Sequence, residues 1–208
     1  MAVMSVTGTW PPPGQAFTVA DLDRMPDDGR RYELVDGVLL VSPRPVMGHQ
    51  WVVASLRDLL QRACPDNLVA ISEPAMQLSA DTEFDPDIVV VHDDVLGAAK
   101  VTEPPLLVVE VQSPSTALID LNVKKAAYER FGIDAYWIVV PNPDEPKLTA
   151  FELAGGHYEL AAQVTGDDVF SARRPFAVQV RPSDLVARLR RAGHRGTGPA
   201  DRDPTGRL

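Results

Sequence analysis

Two short runs constrain this chain more than any other feature: DIVVV at Asp87 and LLVVEVQS at Leu106, nearly unbroken series of aliphatic residues that each carry an acid. Runs of this kind suit central strands covered on both faces, because only a strand layered on each side keeps every side chain from water. The acids are the anomaly. An unpaired ionised group in such a place costs at least several kcal/mol, comparable with the stability of a small domain, so Glu110 needs a cation, a strong donor set or a proton. The plainer account of Glu110 is a strand-end residue whose head reaches solvent.

Asp87 lies in EFDPDIVVV, where Pro86 sets the chain direction just before the apolar strand, so its head should lie at the strand's entry. Pro-Asp is also a common turn pair, and Asp85 competes for the same role. Two apolar strands, each with one acid near an end, can bring both carboxylates to one divalent ion. Hard oxygen ligands select Mg²⁺ or Mn²⁺.

The surrounding sequence supplies the rest of an α/β (α+β) fold. TVADLDRMP at Thr18 has the hydroxyl-to-acid spacing of a capping box opening a short helix, which Pro26 should stop. RYELVDGVLLVSP at Arg31 is expected to form two antiparallel strands around Asp36-Gly37, a pair that tolerates positive backbone angles. Val52, Val53, Leu56, Leu59, Leu60 and Ala63 recur at helical spacing between Val46 and Ala63, with Cys64-Pro65 closing the helix. Strands are then expected over Leu68–Leu78, Ile88–Val91 and Leu106–Val111. A second helix follows over about Leu118–Phe131, ending at Gly132, and AYWIVV at Ala135 is a further buried strand. LTAFELAGGHYELAAQV reads as a C-terminal hairpin joined at Gly155-Gly156. The expected core is therefore helix, three strands, helix, strand around a mixed central sheet, with a hairpin at each end.

Composition narrows the classes. Residues 18–187 read as a single domain, residues 1–17 as a flexible Pro-rich leader, and residues 188–208 as a disordered basic tail with six Arg against two Asp. The whole chain of 208 residues carries a net charge of −9, the wrong sign for coating nucleic acid by charge alone. The single Cys64 excludes a disulfide framework and a multi-cysteine zinc site, and suits a reducing compartment. With no long apolar stretch and no basic or apolar signal block at the start, the expectation is a cytoplasmic protein without a membrane partner.

Counting 100° per residue along the second helix places Asp120, Leu121, Ala127, Tyr128 and Phe131 within about 60° of Lys124, and Lys125 outside that stripe. Lys124 thus lies on the apolar face, where its ammonium could complement Asp87 and Glu110. An ordinary Asp120–Lys124 surface pair is the alternative. Glu33 could add a further ligand, though its strand position equally suits exposed alternation, and Asp36 is accounted for by its turn. His49, opening the first long helix, could approach the acids or contact a phosphate, or simply pack. Ser113 and its neighbours are read as caps, and Tyr136 and Trp137 as core.

These residues resemble a family. FDPD at Phe84, VVEVQSPST at Val108, and the series Asp120, Lys124, Tyr128, Gly132 and Tyr136-Trp137 are similar to the Uma-type restriction-endonuclease-like proteins, a branch of the PD-(D/E)XK nuclease superfamily. The likeness runs from about Thr18 to Leu160 and takes in YELVDG at Tyr32 and His49. The superfamily motif ordinarily has Lys two residues after the Glu, a position held here by Gln112. The resemblance implies that the lysine has moved to the helix as Lys124; without that migration, Gln112 would itself orient water, since it shares a strand face with Glu110.

The resemblance and the acid pattern together imply a Mg²⁺- or Mn²⁺-dependent endonuclease acting on DNA. Asp87, Glu110 and the Val111 carbonyl would hold the metal, Lys124 would orient the attacking water, and no small-molecule cofactor is expected. A homodimer, the Arg tail, or a rim of Arg30, Arg31, Arg44, Arg57 and Lys125 would offset the acidic body. The rival is a catalytically silent binding or assembly module in which Lys124 neutralises the acids without metal. A carboxylate-pair glycoside hydrolase is a third class, for which 6% aromatic content offers little.

Overall fold

In the computed structural model, which describes residues 14–113 and 119–195, the chain begins with a short helix α1 (Val19–Leu22). The Asp21 carboxylate accepts from both the N–H and the hydroxyl of Thr18, at 3.0 and 2.7 Å, which holds the first turn as the sequence spacing required. Strands β1 (Arg30–Val35) and β2 (Val38–Pro43) form the expected hairpin. Its two central residues, Asp36 and Gly37, have φ of 47° and 76°, the pair of positive angles that matches the strand twist.

Gly37 is doubly constrained. A Cβ there would sit 2.5 Å from that of Ala16, whose neighbour Phe17 donates its N–H to the Gly37 carbonyl at 2.9 Å. Gly37→Ala is expected to destabilise the protein by about 2 kcal/mol or more, from strain at positive φ plus displacement of that segment, read as a lowered midpoint of urea unfolding.

Helix α2 (Met47–Ala63) is followed by β3 (Leu68–Ser72), β4 (Met76–Gln77), β5 (Glu83–Phe84), β6 (Ile88–His92) and β7 (Leu107–Val111). A π-helical segment, Ile119–Lys124, runs into α3 (Lys125–Phe131), which ends at Gly132 with φ 87°. Then come β8 (Ala135–Val140), β9 (Lys147–Ala154), β10 (His157–Thr165), β11 (Phe170–Ala172), β12 (Val178–Val180) and α4 (Pro182–Arg195).

Six strands form one sheet in the order β10-β9-β8-β7-β6-β3, antiparallel except for the β7–β8 pair. The sheet is mixed, as expected. Period-two alternation divides its central strands between two cores. Ile88, Val90, Val109 and Val111 pack with Val52, Val53, Leu56 and Leu60 of α2, whereas Val89, Val91 and Val108 pack with Ala127 and Tyr128 of α3. A second sheet, in the order β2-β1-β5-β4, adds Val35, Met76 and Phe84 to the α3 side. The hairpin that carries Glu33 is thereby brought over the same face of the large sheet as α3.

Three features depart from the sequence reading. The expected strand Leu68–Leu78 breaks after Ser72, because Glu73 takes φ 50° and Pro74 has no N–H for a ladder, so Met76 and Gln77 join the smaller sheet. The short β11–β12 hairpin is an addition to the expected elements. The chain also does not lose order after Ala187: α4 continues to Arg195, held by buried Leu185 and Val186, by Leu189 packed on the core, and by the Arg190 side chain donating to the Pro143 carbonyl. The remainder of the expected basic tail, from residue 196, and residues 1–13 of the expected leader lie outside the described residues.

Candidate active site

The register of β6 with β7 assembles the two acids. Ile88 pairs with Val109 and Val89 with Val108, so the next antiparallel step sets Asp87 beside Glu110, on the face that looks toward α3. Both are taken from water, at 1% and 3% exposure. Asp87 Oδ2 accepts the Val111 N–H at 2.7 Å and lies 3.2 Å from His49 Nε2. Its Oδ1 has no hydrogen-bond partner among the described residues; the nearest cation there is Arg31 Nη1 at 3.6 Å. Burial alone would raise the Asp87 carboxyl, but His49, the Val111 N–H and Arg31 outweigh it and hold the group below the usual carboxylate range.

Lys124 faces inward, at 3% exposure. Its Nζ lies 2.9 Å from Glu33 Oε1, 3.0 Å from Glu110 Oε1 and 5.5 Å from the centre of the Phe84 ring. One helical turn on, the Tyr128 hydroxyl donates to the same Glu110 oxygen at 2.7 Å. Burial, reinforced by the Glu110 charge, raises the Tyr128 phenol well above its ordinary value, so it remains a donor. The helical count of 100° per residue holds from Lys124 forward, to buried Ala127 and Tyr128. It fails backward, where Leu121 is exposed rather than in the inward stripe. The π-helical turn is the reason: its i→i+5 bonding advances each residue by less than 100°.

Glu33, Asp87, Glu110, Lys124, His49, Arg31, the Val111 segment and Ser113 line one cavity of about 230 Å³. His49 joins the acids rather than standing apart, with Nε2 2.7 Å from the Val111 carbonyl as well as close to Asp87. Burial would lower its pKa, yet hydrogen bonding and charge from Asp87 raise it above the ordinary imidazole value. Gln112 is not among the lining residues. Tyr136 and Trp137 are core. Of the expected basic rim, Arg31 and Arg44 line the cavity and Arg30 lines its neighbour, whereas Arg57 pairs with Asp58 and Lys125 lies over the Phe151 ring.

Asp85, the competitor of Asp87, lines that neighbouring cavity instead. Burial, and then the charge of Glu33, pushes its carboxyl up to about 6. A carboxyl whose folded value lies above its ordinary 3.8 opposes folding once ionised, so its penalty is full above about pH 6 and fades as pH falls toward 4. Asp85→Asn is expected to raise stability by about 2 kcal/mol at pH 7.5 and by almost nothing near pH 4, as read by urea unfolding at the two pH values.

Sequence reasoning names two members of the site without giving them a place among the acids. Tyr128 falls in the apolar stripe of Lys124 and in the family series, and its position four after an inward lysine is the signal. Arg31 enters only as part of a basic rim, and its place two residues before Glu33 is the one pointer to the acids.

The donor set suits a hard cation. It comprises two buried carboxylates, one of them with an oxygen unpartnered among the described residues, and the Val111 backbone carbonyl, which His49 also meets. Among the described residues, however, no group of three or more His, Cys, Asp and Glu is arranged as a preformed metal cage. Mg²⁺ does not require one, since it commonly uses one or two carboxylates and completes its shell with water and phosphate oxygens.

The Uma2 family profile, described as "putative restriction endonuclease", matches residues 19–185. Among solved structures, a "putative nuclease belonging to DUF820" from Anabaena variabilis has a similar fold, with a TM-score of 0.66 at 15% identity over 82% of this chain and 98% of that one. No curated protein matches the chain. No helix among the described residues is long and apolar enough to cross a membrane.

Proposed function

Since the chain belongs to the Uma2 family of restriction-endonuclease-like proteins, we propose that the cavity around Asp87 and Glu110 is the active site of a Mg²⁺- or Mn²⁺-dependent endonuclease that hydrolyses DNA phosphodiester bonds. The observation that carries this reading is the registered pair of buried acids, on adjacent strands, facing one buried lysine.

Asp87, Glu110 and the Val111 carbonyl would hold the ion, which when bound supplies a water of lowered pKa and positive charge at the phosphate. Tyr128 and Lys124 fix the Glu110 carboxylate between them, so that its orientation is set before any ligand arrives. His49 and the Val111 N–H do the same for Asp87 Oδ2, leaving Oδ1 buried and without a hydrogen-bond partner among the described residues. Lys124, held between Glu33 and Glu110, is placed to orient the attacking water and to offset charge gathering on the phosphate oxygens. Gln112 takes no part in this account, and Glu33 acts through Lys124. Arg44 at the lip, with Arg30 beside it, supplies local positive charge to an otherwise acidic body, and a second copy of the chain would extend that surface.

The deciding experiment incubates the full chain with plasmid, duplex and single-stranded oligonucleotides in Mg²⁺, Mn²⁺ or EDTA. Cleavage with either ion that EDTA stops is the expected result; equal cleavage in EDTA would remove metal dependence, and intact substrates under every condition would remove nuclease activity.

One observation favours the silent-module reading: the Lys124 ammonium lies within ion-pair distance of both Glu33 and Glu110 and itself offsets their charge. Calorimetric titration with Mn²⁺ separates the two. A nuclease site should bind Mn²⁺ in the wild type and lose it in Asp87→Ala, whereas the silent module gives equally negligible heats from both.

A further inference from the structure

Arg31 is the charged group that the proposed chemistry leaves without a task. Two residues before Glu33 on β1, it leaves the strand on the same face. Its side chain is only 16% exposed, and it lines both the acidic cavity and the neighbouring one of about 270 Å³. Its guanidinium is divided between two acids. Nη2 is 2.5 Å from Glu73 Oε1, a close pair, whereas Nη1 stands 3.6 Å from Asp87 Oδ1, beyond hydrogen-bonding distance.

That leaves Asp87 Oδ1 buried, without a hydrogen-bond donor among the described residues, and faced by a cation tied elsewhere. Buried carboxylate oxygens are normally satisfied, so the gap calls for an occupant. Glu73 is itself fixed. It sits at φ 50° immediately before Pro74, its N–H donates to the Asp87 carbonyl at 3.2 Å, and its Oε1 also accepts from Gln50 Nε2 at 3.2 Å. The anchor of the guanidinium is therefore bonded to the backbone of the very residue whose carboxylate it faces.

We propose that Arg31 is a tethered counter-cation: anchored on Glu73 through Nη2, it balances Asp87 across 3.6 Å through Nη1 while no divalent ion is bound, and Nη1 swings further from Oδ1 when one enters. The proposal rests on reading Asp87 as a metal ligand. A guanidinium and a divalent ion near one carboxylate oxygen repel each other strongly, so the two occupancies compete. Glu73 biases that competition toward the ion by holding the guanidinium back. Arg31 thus acts as a positioning residue that sets the threshold for metal entry and, once displaced, keeps its charge at the wall between the two cavities.

The two residues are predicted to act with opposite sign on Mn²⁺ affinity, measured by calorimetry on the full chain with folding monitored by circular dichroism. Arg31→Gln should tighten Mn²⁺ binding at least about fivefold, and Glu73→Gln should weaken it at least about threefold. If Glu73 acts through Arg31, adding Glu73→Gln to Arg31→Gln should change the affinity by less than about twofold. Arg44→Ala, which removes an exposed charge from the same cavity lining, should also change it by less than about twofold.

Arg31→Gln binding Mn²⁺ no more tightly than wild type overturns the proposal. So does a Glu73→Gln effect of equal size with and without Arg31, which would make Glu73 an ordinary nearby charge. Should Arg31→Gln fail to fold, an unchanged Mn²⁺ affinity in Glu73→Gln overturns it alone. Metal-dependent cleavage by the wild type alongside any of these results removes only the role of Arg31, whereas absent cleavage with no Mn²⁺ heat in any variant removes the metal site too.

Discussion

Under the proposed function, Glu110→Gln and Asp87→Asn are each expected to lower DNA cleavage at least about 10³-fold while the protein stays folded, because each replaces a carboxylate proposed to hold the ion by a neutral group of the same shape. The amide carbonyl that Glu110→Gln introduces can still accept from the Tyr128 hydroxyl, and Lys124 keeps Glu33 as its ion-pair partner. The amide introduced by Asp87→Asn can likewise accept the Val111 N–H. Loss of activity with a cooperative, near-wild-type unfolding transition is the expected combination, measured by oligonucleotide cleavage alongside urea unfolding. Full cleavage by either variant would show that the paired acids are not the reacting site.

Lys124→Met should produce the largest loss of stability. Removing the ammonium strands two buried carboxylates, Glu33 and Glu110, that share it at 2.9 and 3.0 Å, and breaking a buried pair in this way costs about 3–5 kcal/mol. Tyr128 and the Asp85 N–H still serve those acids but carry no full charge. The cost should therefore shrink by about 1–2 kcal/mol when Glu33→Gln is added, since one of the stranded charges is then gone. Urea unfolding of the two single variants and the double variant measures this coupling; strictly additive effects would mean that Lys124 and Glu33 do not depend on each other.

Part of this site follows from geometry that repeats at short range. Strand alternation assigns Asp87 with Val89, and Glu110 with Val108, to one face, and helical rotation puts Lys124 with Tyr128. The aliphatic character of both runs marks their strands as interior and their acids as groups that need either a partner or a way out to solvent. The hairpin turns at Asp36-Gly37 and Gly155-Gly156 are equally legible, because few residues accept those backbone angles. The sequence reading failed at two irregularities: the π-helical turn before Lys124, which nothing local marks, and the break at Glu73 that sends β4 to another sheet, which Pro74 marks and the expected strand ran through. The extent of α4 is legible once its packing is known, since Leu185, Val186 and Leu189 form an apolar stripe that the basic composition around them obscures.

The sequence by itself determined the helix, three strands, helix, strand order of the core and the apolar setting of Asp87, Glu110 and Lys124, because these follow from periodicities of a few residues; whether the three heads turn inward it left open. The tertiary structure alone decided that β6 and β7 meet in the register that sets Asp87 beside Glu110. It also decided that Glu33 shares Lys124, that His49 reaches the Val111 carbonyl 62 residues away, and that Arg31 stands between Asp87 and Glu73. Those contacts join segments far apart in the chain, and their geometry comes from how two sheets and two helices pack, which no local pattern encodes.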